Sequence, residues 1–404
     1  MDILNVNERA YFDNTIINSE KHTHQPYAST SLNNNDEIRI PIQQQDVYTL
    51  PSESSLYIEG KLLKTDNTPS KTATFANNGV MLLFDEIRYE MGGYVIDRIR
   101  HPGLTSILKG YVSFNTSDTQ YLQNSGWLFN NNERSLIVDD HGNFNVSIDL
   151  STIFGFCEDF KRIILNLRQE LVLIRSNSDT NAIINSAENE SVKVVLNKVL
   201  WKMPHISVSD VERLKLVDYV ARNKELEVPF RGWELHEYPL LQETQRHTWN
   251  IKTATQLEKP RFVIVGFHTD RKNKLKKNFS HFDHCNLINM KLYLNSEMFP
   301  YDNLNINFDN NQIATLYDMY AKFQRSYYGK ENEPIYTRAE FKKYAPLIVI
   351  DCSHQNESLK SGSVDIRLEF ETNKNIPSNT SCYALILHDR LVKYSPLTST
   401  VRIL

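Results

Sequence analysis

Val364-Asp-Ile-Arg-Leu-Glu-Phe370 alternates without a break between apolar and polar side chains. Successive side chains of a strand point to opposite faces, so Val364, Ile366, Leu368 and Phe370 belong on a core while Asp365, Arg367 and Glu369 meet water or a partner. Leu287–Leu294 reads the same way in the same half of the chain. In the front half the pattern recurs in Glu37-Ile-Arg-Ile-Pro-Ile42 and in Phe144-Asn-Val-Ser-Ile-Asp-Leu150. One-sided strands divided between two halves predict a β-sandwich that is built twice.

Around these stretches, residues 55–63, 80–89 and 94–99 carry strand composition, and Gly92-Gly93 supplies the positive φ of a tight hairpin between the last two. Residues 163–174, in part, and 192–203 complete the front half. The latter is apolar on both faces, with Val194, Leu196 and Leu200 opposite Val195, Val199 and Trp201, and is expected between two buried surfaces. In the back half, strands are expected at 227–230, 249–255, 261–267, 347–351, 364–372 and 382–388. Ser209-Asp-Val-Glu212 is a capping-box pattern that opens a helix with Val211, Leu214, Val217 and Val220 near 3.6-residue spacing, and the junction between halves is placed just after it. A second helix is expected over 311–328, where Ile313, Leu316, Tyr317, Tyr320 and Phe323 form one stripe across a strand connection. Residues 1–35, rich in Asn, Ser, Thr and His, lack periodicity and read as a flexible arm that orders against a neighbour.

The expected fold is all-β: two tandem jelly-roll β-sandwiches with a few inserted helices. The arm occupies 1–35, the first jelly roll with its junction helix 36–224, and the second jelly roll 225–404. Inserted helices suit jelly rolls better than immunoglobulin-like modules, whose inserts are shorter.

At 404 residues and 40% hydrophobic, the chain is long enough for two domains of roughly 200 residues each. A formal net charge of -4 provides no global cationic field for tight nonspecific nucleic-acid binding. Residues 1–12 are polar and charged where a secretory signal has an apolar core, so export by the ordinary route is not expected. No apolar run approaches the roughly 18 to 20 residues that span a bilayer. Cys157, Cys285, Cys352 and Cys382 show no CxxC spacing and are expected as reduced thiols. Sequons such as Asn145-Val-Ser147 are then expected to stay unmodified.

Catalytic signatures are sparse: the chain has no P-loop, no GxGxxG after a strand, no GxSxG elbow and no HExxH. His281, Asp283, His284 and Cys285 are acceptable zinc ligands by type, but their spacing matches no recognised site, and Cys285 at the entrance of a strand suits a small buried group. His22-Thr-His24 has the His-x-His form of a cupin metal site, yet it lies in the polar arm without a glycine frame. Asp85, Glu86 and Asp97 offer paired carboxylates, while Arg88, Arg98 and Arg100 close by favour a structural ion-pair network. Arg271-Lys-Asn-Lys-Leu-Lys-Lys277 is the densest positive run, suited to sequence-blind phosphate contact or, more simply, to a solvated loop. No catalytic, cofactor-binding or metal-binding residue is assigned.

Longer phrases carry a family likeness. In the first half they are Leu50-Pro-Ser-Glu-Ser-Ser-Leu-Tyr-Ile-Glu-Gly60, Leu83-Phe-Asp-Glu-Ile-Arg-Tyr-Glu90 with Ile96-Asp97-Arg98, and Leu171-Val-Leu-Ile-Arg175. In the second half they are Pro260-Arg-Phe-Val-Ile-Val-Gly-Phe267, Leu294-Asn-Ser-Glu297 with Phe299-Pro300-Tyr301, and Val364-Asp-Ile-Arg367. Trp201-Lys-Met-Pro204 lies near their junction. Over about residues 36–404 the chain thereby resembles the double jelly-roll major capsid proteins of Polinton-like and adintovirus type, viral or integrated in animal genomes.

The resemblance implies a structural, non-enzymatic viral subunit without cofactors. It implies a homotrimer forming a pseudo-hexagonal capsomer that tiles an icosahedral capsid around a DNA genome, with strands upright to the shell and outer loops forming towers. The implied partners are neighbouring capsomers and penton and minor capsid proteins, with weak nonspecific contact with packaged DNA and no membrane span. The implied location is the virion, after synthesis in the host cytoplasm and assembly there or in the nucleus. The 20 Tyr and 19 Phe supply rigid aromatic area for interfaces as well as cores. Trp127, Trp233 and Tyr238, read as loop residues, are expected at subunit contacts ahead of Trp201. The alternative is a two-domain jelly-roll carbohydrate- or receptor-binding protein; a jelly-roll enzyme built on the cluster at 281–285 or the carboxylates at 85–97 comes third.

Overall fold

The computed structural model describes residues 15–28, 30–42, 48–129, 137–185, 190–252, 260–354 and 364–403. The long strands of the front half are β1 (Ile16–His24), β2 (Glu37–Ile42), β3 (Ser55–Lys64), β4 (Phe84–Met91), β5 (Tyr94–Arg100), β6 (Asn143–Asp149), β7 (Gln169–Arg175) and β8 (Val192–Val208). They pair antiparallel in two sheets, ordered β1-β8-β3-β6 and β2-β7-β4-β5. The back half supplies β9 (Leu226–Tyr238), β10 (Arg246–Ile251), β11 (Pro260–Thr269), β12 (Leu287–Leu294), β13 (Glu297–Phe299), β14 (Ile348–Asp351), β15 (Ile366–Thr372) and β16 (Thr380–Ser395). Their sheets are ordered β9-β16-β11-β14 and β10-β15-β12-β13, the first pattern with eight added to every number. First strand beside last, with the chain crossing repeatedly between facing sheets, is the jelly-roll winding, and it occurs here twice. Among the described residues, strand pairing stays within each half.

The alternating stretches do what their spacing requires. Ile38, Ile40 and Ile42 of β2, Phe144, Val146 and Ile148 of β6, and Ile366, Leu368 and Phe370 of β15 are all buried. Each such side chain contributes about 1.5–3 kcal/mol by leaving water. The facing sheets meet through aromatic edges: Trp201 of β8 lies 5.6 Å from Tyr89 of β4, and Phe267 of β11 lies 5.4 Å from Phe370 of β15.

Helices fill the connections. They are α1 (Pro102–Ser113), α2 (Thr119–Gln123), α3 (Gly155–Asp159), α4 (Asp210–Ala221), α5 (Ala314–Ala321), α6 (Phe323–Tyr328) and α7 (Arg338–Tyr344). Ser209 caps α4 by accepting from the Glu212 N–H, as its sequence pattern requires. The α4 stripe faces outward, however: Val211, Leu214 and Val217 are 64%, 70% and 54% exposed.

Three expectations are corrected. The flexible arm over 1–35 gives way at Ile16–His24 to a strand along Trp201–Val208, the first strand of the front jelly roll; residues 1–14 lie outside the described residues. Strand β8 is not buried on both faces. A bulge between Leu196 and Lys198 shifts its phase by one residue, so that Val194 and Leu196 before it and Val199, Trp201 and Met203 after it share the inner face. The helix expected over 311–328 is two helices, α5 and α6, broken at Lys322, with Leu316, Tyr320 and Phe323 buried. Residues 253–255 of the strand expected at 249–255 lie outside the described residues.

Candidate functional site

The densest buried chemistry lies on the seam between the two sandwiches. Lys109, in the middle of α1, is drawn inward because α1 is buried along nearly its whole length. Its ammonium donates to both Glu158 oxygens at 3.1 and 3.3 Å, to Ser113 Oγ at 3.0 Å and to Tyr328 Oη at 2.5 Å. It also lies 4.6 Å from the Trp233 ring centre and 4.5 Å from that of Tyr327. Burial lowers the Lys109 pKa and Glu158 opposes the shift. Burial, followed by the Glu158 charge, raises the Tyr328 phenol, which donates to that carboxylate.

Beside it, Arg231 of β9 forks onto Asp159 at the end of α3, Nε at 2.8 Å and Nη2 at 2.5 Å, with its plane 3.7 Å over the Tyr327 ring. Gly155 is required where α3 meets β9, since a Cβ there would stand 1.7 Å from the Arg231 carbonyl oxygen. Elsewhere on the seam Tyr111 donates to the Ser280 carbonyl at 2.8 Å, and the Asn185 N–H donates to that of Leu275 at 2.8 Å. A cleft of ≈ 830 Å³ opens beside Lys109, Glu158, Arg231 and Trp233. These paired groups clamp one sandwich to the other.

The residues singled out by sequence are dispersed. Asp283 holds Arg271 in a fork of 2.7 and 2.6 Å. Burial pushes its carboxyl pKa up and the Arg271 fork more than reverses the shift. His284 stacks on Phe308 at 4.3 Å, His281 turns to Asn278 at 3.1 Å, and burial pushes the Cys285 thiol up to about 12. The four groups make separate bonds, and among the described residues no group of three or more His, Cys, Asp or Glu could hold a metal ion. His22 and His24 lie on β1 beside His205 of β8.

Glu86 is buried beneath an ion-pair array, 2.6 Å from Arg98 and 3.6 Å from Arg88, while Asp85 accepts from Ser176 at 2.7 Å. Asp97 is on the inner side, accepting from the Phe156 N–H at 3.0 Å, and burial raises its pKa to about 6 against Arg390 and backbone donors. The carboxylates therefore do not form a catalytic pair. Within the basic run, Arg271 is held by Asp283, Lys272 by Glu237 at 3.0 Å, and Lys274 and Lys277 by Asp270 at 3.9 and 3.0 Å.

The aromatic expectation is corrected as well. Trp127 and Trp233 are only 1% and 3% exposed. Trp127 stacks on Phe129 at 5.3 Å, while Trp233 and Tyr238 belong to β9, not to a loop. Tyr238 packs edge-on against Trp249 at 5.7 Å.

A family model described as a double jelly roll-like domain matches residues 73–392. No curated protein matches the chain in sequence. Among solved structures, the chain is similar to the PBCV-1 virus capsid protein (10% identity, 98% of each chain covered, TM-score 0.62). It is similar to the Faustovirus major capsid protein (9% identity, 96% of this chain and 92% of that one, TM-score 0.61). It is also similar to the mavirus major capsid protein (11% identity, 99% and 92%, TM-score 0.59). At such identities the likeness is one of fold.

Proposed function

The chain belongs to the double jelly roll-like domain family, and from that premise we propose that it is the major capsid protein of a virus or of a genome-integrated viral element. Its work is assembly, and it performs no catalysis. The observation that carries this reading is the repeated winding: two sandwiches of identical strand order, locked together through Lys109 with Tyr328 and Arg231 with Asp159. Two similar units per chain, divided near residue 225, give a trimer six similar flanks, which lets one gene product occupy a sixfold environment with contacts that close. A rigid seam matters because any hinge between the sandwiches would spread the angles between flanks.

In this reading the partners are two further copies in the capsomer, neighbouring capsomers, and penton and minor capsid proteins, and the location is the virion. The carboxylate partners of Arg271, Lys272, Lys274 and Lys277 leave that run little free charge, so contact with packaged DNA is weak. Affiliation with the Polinton-like and adintovirus type rests on the sequence phrases alone. Electron microscopy of the purified chain tests the proposal: pseudo-hexagonal trimers, sheets or shells are expected, and uniformly isolated two-lobed particles at high concentration would overturn it.

A further inference from the structure

β1 is held on the edge of β8 by its backbone ladder and three histidines, because Ile16 to Thr23 leave their side chains exposed. In register, Glu20 lies opposite His205, His22 opposite Met203 and His24 opposite Trp201, so Glu20, His22, His24 and His205 share one face. The His22 and His205 rings stack with centroids 4.1 Å apart and planes at 11°. His24 Nε2 lies 3.2 Å from His205 Nε2. Two imidazole nitrogens at that separation form a hydrogen bond only while one carries a proton and the other does not.

We propose that His22, His24 and His205 form an acid-operated latch that releases β1 from β8. The surroundings favour neutral rings. Burial, then the neighbouring imidazoles, hold the His24 pKa down to about 4, and burial followed by His22 lowers that of His205. Glu20, 3.6 Å from His22, is the carboxylate within ion-pair distance among the described residues. Among the described residues, β8 presents Trp201 and Met203 to the cluster, the short strand Tyr48–Thr49 sets Thr49 opposite His205, β2 turns Ile38, Ile40 and Ile42 inward, and α4 brings Arg213 to the cleft that His205 lines, a cation that also favours neutral rings. Lys21 and Lys202 alternate onto the opposite face.

On a detached β1 the imidazoles titrate near their ordinary value of about 6.5, above the docked value for His24, so protons bind the detached strand more readily. The latch is fully closed above that value and loosens as pH falls towards 4. One added proton can be shared between His24 and His205. A second leaves two donors facing each other 3.2 Å apart on two rings of like charge. Opening uncovers the backbone donors and acceptors of β8 along Trp201–Val208, a template on which another extended segment can add. The latch does not depend on the chain being a capsid subunit.

The full chain carrying Ser19→Cys, spin-labelled at this exposed β1 position, reports release by electron paramagnetic resonance; the native cysteines Cys157, Cys285, Cys352 and Cys382 are buried. The label is expected immobilised at pH 7.5 and mobile at pH 4.5, reversibly, with a midpoint between. His24→Gln with His205→Gln is expected to keep it immobilised at both pH values. The single variant His24→Gln, at a half-buried position that tolerates an amide, is expected to reduce the mobile fraction at pH 4.5 at least fivefold. A label immobile at pH 4.5 in the parent, or a release undiminished by both variants, overturns the latch.

Discussion

Lys109 and Asp97 carry opposite lessons about buried charge. Lys109 is a buried cation whose partners are distant in sequence: Glu158, in the same sandwich, is 49 residues away, and Tyr328, from across the seam, is 219 away. No local spacing could have joined them, which is why the clamp was illegible while the ion-pair array on Glu86, built from adjacent strands β4 and β5, was anticipated. Removing one partner of such a pair strands the other, so Lys109→Met should lower the unfolding free energy by about 3 kcal/mol in urea titrations. A loss under about 1 kcal/mol would show that the clamp is not tight. Asp97 keeps its proton in the fold to a pKa of about 6, above the ordinary carboxylate value of 3.8. A carboxyl raised on folding contributes stability that is complete below its ordinary pKa and is lost as pH rises through the folded one. Asp97→Asn, which preserves an acceptor for the Phe156 N–H, should therefore gain on the parent between pH 4 and 7, by at most ~3 kcal/mol. Equal stability differences at pH 4 and pH 7.5 would contradict that assignment.

Strands whose inner face is apolar were legible; those without one were not. Glu37–Ile42, Asn143–Asp149 and Ile366–Thr372 bury every second residue, and the period of two found them directly. Ile16–His24 buries almost nothing and reads as an arm, since its place is fixed by hydrogen bonds to β8 that leave no trace in side-chain pattern. Strand β8 misled differently, because one bulge reverses its alternation. α4 was found from its cap, but its apolar stripe points away from the core. Val211→Ser with Leu214→Ser should accordingly change the chain's own stability by less than about 0.5 kcal/mol, read from thermal or urea unfolding. A loss above ~2 kcal/mol would mean that the stripe is buried within the chain.

Duplication is legible in the sequence because alternating strands recur in both halves, and in the fold each half pairs its strands within itself. The aromatic residues misled at this level: Trp127 and Trp233 fill the interior and the seam, where they stiffen the pair of sandwiches, and do not mark the outer flanks. A stiff pair with like windings is the geometry from which a closed, threefold block can be built. Sedimentation equilibrium of the purified chain at neutral pH measures this most directly: the predicted mass is three times 47.1 kDa, stable to dilution, and a single species of 47.1 kDa across all concentrations would contradict it.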